Sequence, residues 1–142
     1  MMKKAADDVT NRRTVWEPLS DMFLDTDVSL FRDSRINKLA ASPYSISELE
    51  SILIEEVYPV CVGNLLCIAG EWEGFDERWL EEKILRHCQS RGMFRIFNFG
   101  RMTVPYSSEW RATKMGVVAL RKKAGNENND EISGRCCPCR IH

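Results

Sequence analysis

The densest set of potential ligands in this 142-residue chain is its ending, Cys136-Cys-Pro-Cys139-Arg-Ile-His142. Three thiols and an imidazole suit zinc or copper(I), which makes Cys136, Cys137, Cys139 and His142 weak metal candidates. Four ligands so close together, with Pro138 between them, leave too little chain for an ordinary tetrahedral site. A transient soft-metal or redox tail is the most they support, against a plain disordered end. The last four residues also imitate a prenylation box, but His is not a usual final residue there. Asp25-Thr-Asp27-Val-Ser29 starts like a calcium loop and then fails: Leu30 stands where glycine is needed and Ile36 where a bidentate Glu belongs. Asp76 with Glu81-Glu82-Lys83 resembles an acid-acid-lysine nuclease set. Its last two members fall on an expected helix, where acids near the start are favoured electrostatically in any case. His87 beside Cys88 is equally uninformative, because adjacent helical residues do not face each other. With only two histidines, and no nucleotide-binding glycine string, G-x-S-x-G or H-E-x-x-H, the chain is not expected to be an enzyme or to carry a cofactor. A third class, an acid-dependent hydrolase, would use Glu71 and Asp76.

Two features have the residue types of a binding surface. Ala69-Gly-Glu-Trp-Glu-Gly-Phe-Asp76 packs two aromatics and three acids between and beside two glycines. Trp72 and Phe75 read first as core plugs shaped by a loop. As function, Glu71, Trp72, Glu73 and Asp76 make a protein-binding rim around a residue type enriched in interface hot spots. The second feature is charge. The net charge of −1 conceals an acidic stretch, 44–85, with ten acids against Arg78 and Lys83, and a basic stretch, 86–123, with nine bases against Glu109. The favoured expectation is that these are solvated faces that partly neutralise each other on folding. If they stay apart, the acidic half steers a basic protein. The basic half, through Arg91, Arg95, Arg101, Arg111, Lys114 and Lys122, would then contact nucleic-acid phosphates.

The elements that must position these residues are mostly helical. Thr14-Val-Trp-Glu17 has a capping-box pattern, followed by Val15, Trp16, Leu19, Met22 and Phe23 at helical spacing. Pro18 would then fall in the opening turn. Asp27 or Ser29 caps a second helix carrying Phe31, Ile36, Leu39 and Ala40, which Ser42-Pro43 ends. Ser47-Glu-Leu-Glu50 opens a third with Leu49, Ile52, Leu53 and Val57 on one face, closed by Pro59. Asp76 caps the clearest helix, with Phe75 and Leu80 as a hydrophobic staple and Gly92 as its stop. A small β-hairpin is expected near 93–104, turning at Asn98-Phe-Gly100. Ser107 or Ser108 then caps a last helix that closes at Gly125.

Composition agrees with an ordinary globular domain: 44% hydrophobic, 29% charged, eight glycines and five prolines. The expectation is a mainly α bundle of four or five helices. Residues 1–10 form an N-terminal arm, 11–123 the single domain, and 124–142 a flexible Cys-containing tail. No stretch is long and apolar enough to span a membrane, and no apolar run follows the first lysines as in a signal peptide. Cys61, Cys67 and Cys88 sit in apolar segments as small hydrophobes. The reading is therefore a reduced cytoplasmic protein.

Several longer words stand in order: Trp16-Glu-Pro-Leu-Ser-Asp-Met-Phe-Leu-Asp-Thr-Asp27, Glu56-Val-Tyr-Pro59, Asn64-Leu-Leu66, and Ala69 to Asp76 followed by Trp79-Leu80. On these the chain resembles an uncharacterised family of short bacterial proteins, over about residues 14–88, with Pro18 departing from the family's pattern. The resemblance implies a compact, mainly helical domain and no assigned activity. The functional expectation is a small protein-interaction module of immunity or regulatory type, with another protein as partner. Nucleic acid is the alternative partner, and no membrane is involved.

Overall fold

The computed structural model describes residues 2–65, 74–90 and 107–133. These residues form helices and the turns between them, with no strand among them: α1 (Val9–Ser20), α2 (Arg32–Ala41), α3 (Ile46–Ile52), α4 (Tyr58–Leu65), α5 (Glu77–Ser90) and α6 (Ser107–Ser133). A π turn over Leu53–Val57 joins α3 to α4, so the two run as one interrupted helix and the bundle has five members. A mainly helical bundle is what the apolar spacing predicts. The hairpin expected near 93–104 lies outside the described residues, as does Gly92.

The core is built from the predicted stripes. Val15, Trp16, Leu19, Met22 and Phe23 from α1 and its exit meet Leu39, Leu49, Ile52, Leu53, Val57, Leu80, Ile84, Trp110 and Val117, all nearly or fully buried. Burying such side chains is worth roughly 1.5–3 kcal/mol each, which is what holds short helices of this kind in place.

Several boundaries differ from the sequence expectation, each for a local reason. Helix α1 begins at Val9, not Thr14; Thr14 lies inside it and its hydroxyl donates to the Asn11 carbonyl at 2.6 Å. Pro18 therefore falls in the last turn of α1, and the chain tightens into a 3-10 turn over Asp21–Phe23. The segment expected as a separate arm folds onto the bundle: Ala5 is buried and Met2 packs against the core. The third helix uses Ser45 and Glu48 as its capping box, two residues before the expected Ser47 and Glu50. Pro59 does not end that helix. Its ring removes one N–H and crowds the preceding turn, and the widened π turn just before it absorbs both effects, with the Tyr58 N–H donating to the Leu53 carbonyl. Helix α6 takes in both Ser107 and Ser108, expected as alternative caps, and runs past Gly125 to Ser133, into the residues expected to be tail. Residues 134–142, including Cys136, Cys137, Cys139 and His142, lie outside the described residues.

Helices α2 and α6 pack most closely. A methyl group at Gly116 would collide with Cδ1 and Cγ1 of Ile36, so glycine is what lets α6 approach α2. Arg121 seals the contact by donating to the carbonyls of Leu39 (2.9 Å), Ala40 (3.1 Å) and Ser42 (3.2 Å) at the end of α2. The Leu39 carbonyl also accepts the Ser42 N–H and hydroxyl, and a cation at this end of the helix complements its dipole.

Candidate functional site

Of the predicted protein-binding rim, Glu71, Trp72 and Glu73 lie outside the described residues. Asp76 is placed, and it does what the sequence predicts: its Oδ1 accepts the Trp79 backbone N–H at 2.8 Å, and Leu80 N–H donates to its carbonyl. The cap fixes the first turn of α5, and with it an aromatic pair. Phe75 and Trp79 stack nearly parallel, at 10° and 5.7 Å between centroids. Phe75 packs against the core, while Trp79 is 39% exposed. The Lys83 ammonium stands 6.0 Å from the Trp79 ring centroid.

A groove of about 350 Å³ runs beside this edge, between α1 and α5. Trp16 and Leu80 form its floor; Arg13, Glu17, Glu77, Arg78 and Glu81 form its rim. Arg13 closes one side with a two-pronged bond to Glu81, from Nε and Nη2. That bond holds the Glu81 carboxyl below its usual range and raises the Arg13 guanidinium. Glu17 is held by Lys38 from α2 at 2.8 Å.

Behind the groove floor is a polar centre that sequence reasoning missed. The Trp16 indole N–H donates to Glu56 Oε2 at 2.8 Å. The same oxygen lies 3.2 Å from Nε of Arg12, whose side chain is wholly buried. Arg12 Nη2 donates to the Lys3 carbonyl at 2.9 Å, and its guanidinium lies 4.8 Å from the centre of the Tyr44 ring. Its Nε and Nη1 make no hydrogen bond. Burial pushes the Glu56 carboxyl up, against the pull of Trp16 and Arg12. Burial, followed by the hydroxyl's bond to Asp8, pushes Tyr44 up to about 12. The signal for Arg12 was present: Val9, Arg12, Trp16 and Leu19 share one helical stripe, so a charged residue occupies a core position and requires a buried partner.

A second buried arginine follows the same pattern on α2, in the stripe Phe31, Arg35, Leu39. Arg35 Nη1 donates to Glu109 Oε1 (2.8 Å) and Thr113 Oγ1 (3.3 Å), Nε to the Pro18 carbonyl (3.1 Å) and Nη2 to the Val28 carbonyl (3.1 Å). Arg32 grips the same Glu109 with Nε and Nη2 at 2.9 and 2.6 Å. These bonds, that to Arg32 first, hold the Glu109 carboxyl below its usual range.

Among the described residues, one ion pair joins the acidic and basic stretches, Lys114 to Glu50 at 3.7 Å. The acidic stretch instead receives Arg12 and Arg13 of α1, and the lone acid of the basic stretch, Glu109, is taken by α2. Of the nucleic-acid candidates, Arg111 and Lys122 are exposed on one outer face of α6, Lys114 is half-buried, and Arg91, Arg95 and Arg101 lie outside the described residues. No group of His, Cys, Asp or Glu suited to a metal occurs among the described residues, and none of their helices is long and apolar enough to cross a membrane.

Compared with known proteins, residues 10–116 match a family model described as a domain of unknown function. No curated protein and no solved structure matches the chain.

Proposed function

The chain belongs to the DUF7079 family, whose function is unknown, and on that premise we propose that it is a small protein-interaction module. Its working surface is the α5 edge and the adjoining groove: Asp76, Glu77, Trp79 and the α1 rim, continued in sequence by Glu71, Trp72 and Glu73. One observation carries the reading: a tryptophan set by a cap and an aromatic stack, yet 39% exposed, beside a groove rimmed by charged residues of both signs. Tryptophan is the residue type most enriched at interface hot spots. The role is non-catalytic, of immunity or regulatory type, in the reduced cytoplasm of a bacterial cell. Cys61 fits that setting as a buried thiol pushed up to about 12 by burial, an unreactive form.

A photo-crosslinking side chain at Glu77, compared with one at Lys122, tests this in the source cell. The module reading expects a discrete protein adduct from position 77 and none from 122. Adducts to nucleic acid from position 122, with none from 77, would replace it by the second reading. That reading is favoured by the exposed Arg111 and Lys122 on the outer face of α6.

A further inference from the structure

We propose that Trp79 takes an arginine side chain of the partner protein, stacked on the indole ring beside Asp76 and Glu82. This rests on the reading of the α5 edge as the interaction surface and adds the partner's chemistry. The ring is prepared before any partner arrives. Asp76 fixes the backbone at Trp79 through the 2.8 Å cap bond, and Phe75 stacks on the ring at 10°, which sets its tilt. An indole face is negative at its centre and attracts cations within about 6 Å. The chain's own Lys83 stands at 6.0 Å, the outer limit of that range, so the site is tuned to a cation and only weakly filled.

The surrounding charges select the sign of the guest. On the helix Asp76 and Glu82 fall about 60° to either side of Trp79, both exposed, and neither forms an ion pair among the described residues. Arg78, which would repel a cation, turns instead to the groove facing α1. Arg86 lies two turns further along α5. A guanidinium suits the position better than an ammonium, because its plane stacks on the ring while its edge donates to carboxylates.

The test uses the full chain and three peptides of equal length: arginine–glycine, lysine–glycine and glutamate–glycine repeats. Binding is followed by the shift of the Trp79 indole N–H signal in NMR at physiological salt, and by peptide anisotropy for variants that lack the indole. The arginine peptide is expected to bind more tightly than the lysine peptide, with no binding of the glutamate peptide. Trp79→Ala should weaken the arginine peptide about fivefold, Trp79→Phe by less, and Lys83→Gln should strengthen it about twofold, the scale of exposed cation–π contacts. Trp79→Phe keeps an aromatic stack, so it reports even if the alanine variant loses structure. Equal binding of arginine and lysine peptides, indifference to Trp79→Ala in a folded chain, or no binding of the arginine peptide would each overturn the assignment. If that happens while position 77 still cross-links a protein, the chemistry is wrong and the module stands. Loss of the position-77 adduct removes the module itself.

Discussion

The two buried arginines divide the molecule. Arg35 has a partner for every nitrogen: a carboxylate and a hydroxyl from α6, the Pro18 carbonyl at the end of α1, and the Val28 carbonyl before α2. Arg12 is just as buried, yet Nε and Nη1 make no hydrogen bond and its acid is strained upward by burial. A saturated centre of this kind rigidifies the elements that meet in it; a partly satisfied one adds less, because its unpaired buried groups cost free energy. The difference coincides with the surface. Behind Arg35 lies the α2–α6 brace, closed by Gly116 and Arg121. Behind Arg12 lie Trp16, the groove and the α5 edge proposed to meet a partner.

The largest expected effect comes from breaking the saturated side. Arg35→Met should cost about 3–5 kcal/mol in urea unfolding, because it strands part of Glu109 and two backbone carbonyls in the interior. Arg12→Met should cost less, about 2 kcal/mol, since Glu56 keeps the Trp16 N–H and can take up a proton. If Arg12→Met proved the costlier, the comparison would fail. Replacing Arg12 and Glu56 together by methionine should recover only part of the single-variant loss: an apolar pair avoids both desolvation costs, but the buried Trp16 indole N–H loses its acceptor.

Acid–base behaviour sharpens the same contrast. Glu109 is held below its unfolded pKa, so its contribution is full above the unfolded value and is lost as pH falls through the folded one. Glu56 is shifted the other way, so the folded state binds its proton more readily and its cost grows as pH rises. Glu109→Gln should therefore remove part of the acid limb of the stability profile. Glu56→Gln should remove a cost that is present only towards neutral pH, while giving up part of the ion pair with Arg12.

Asp21 marks a blemish on the braced side. It sits at the C-terminal end of α1, where a negative charge is unfavourable, and burial, reinforced by Glu17 against Arg35 and Lys38, pushes it up to about 6. Its folded pKa lies above the unfolded one, so ionisation costs stability as pH rises through that interval. Asp21→Asn should gain about 1 kcal/mol at neutral pH after allowance for solvent screening, and nothing below both pKa values. The smallest change is expected at the proposed surface. Trp79→Ala should cost about 0.5–1 kcal/mol, the scale of the lost stack on Phe75.

Much of this was legible in the chain. The core stripes of α1, α3, α5 and α6 follow from apolar spacing alone, and Asp76 with Leu80 announced the start of α5. Thr14 and Glu17 form an equally good capping pattern that is not used, because Val9 and Arg12 extend the same stripe backwards and the helix starts with them. Pro59 was misleading because a π turn is not written in any local signal; it needs the packing of both flanking segments. The two centres were hidden for another reason. Arg12 meets Glu56, 44 residues away, and Arg35 meets Glu109, 74 away, so no spacing rule connects them. Only the arginines' places on apolar stripes hinted at burial. The α5 edge is half legible: Asp76 announces its own cap, while nothing in the local spacing distinguishes the exposed Trp79 from a core tryptophan.

Amide hydrogen exchange of the full chain, with and without the arginine–glycine peptide, tests the central division most directly. The account predicts slowing confined to the first turns of α5 and the facing turn of α1, with α2 and the α2-facing part of α6 already slow and unchanged. Slowing centred on the outer face of α6 around Arg111 and Lys122, or exchange in α2 as fast as at the α5 edge, would contradict it.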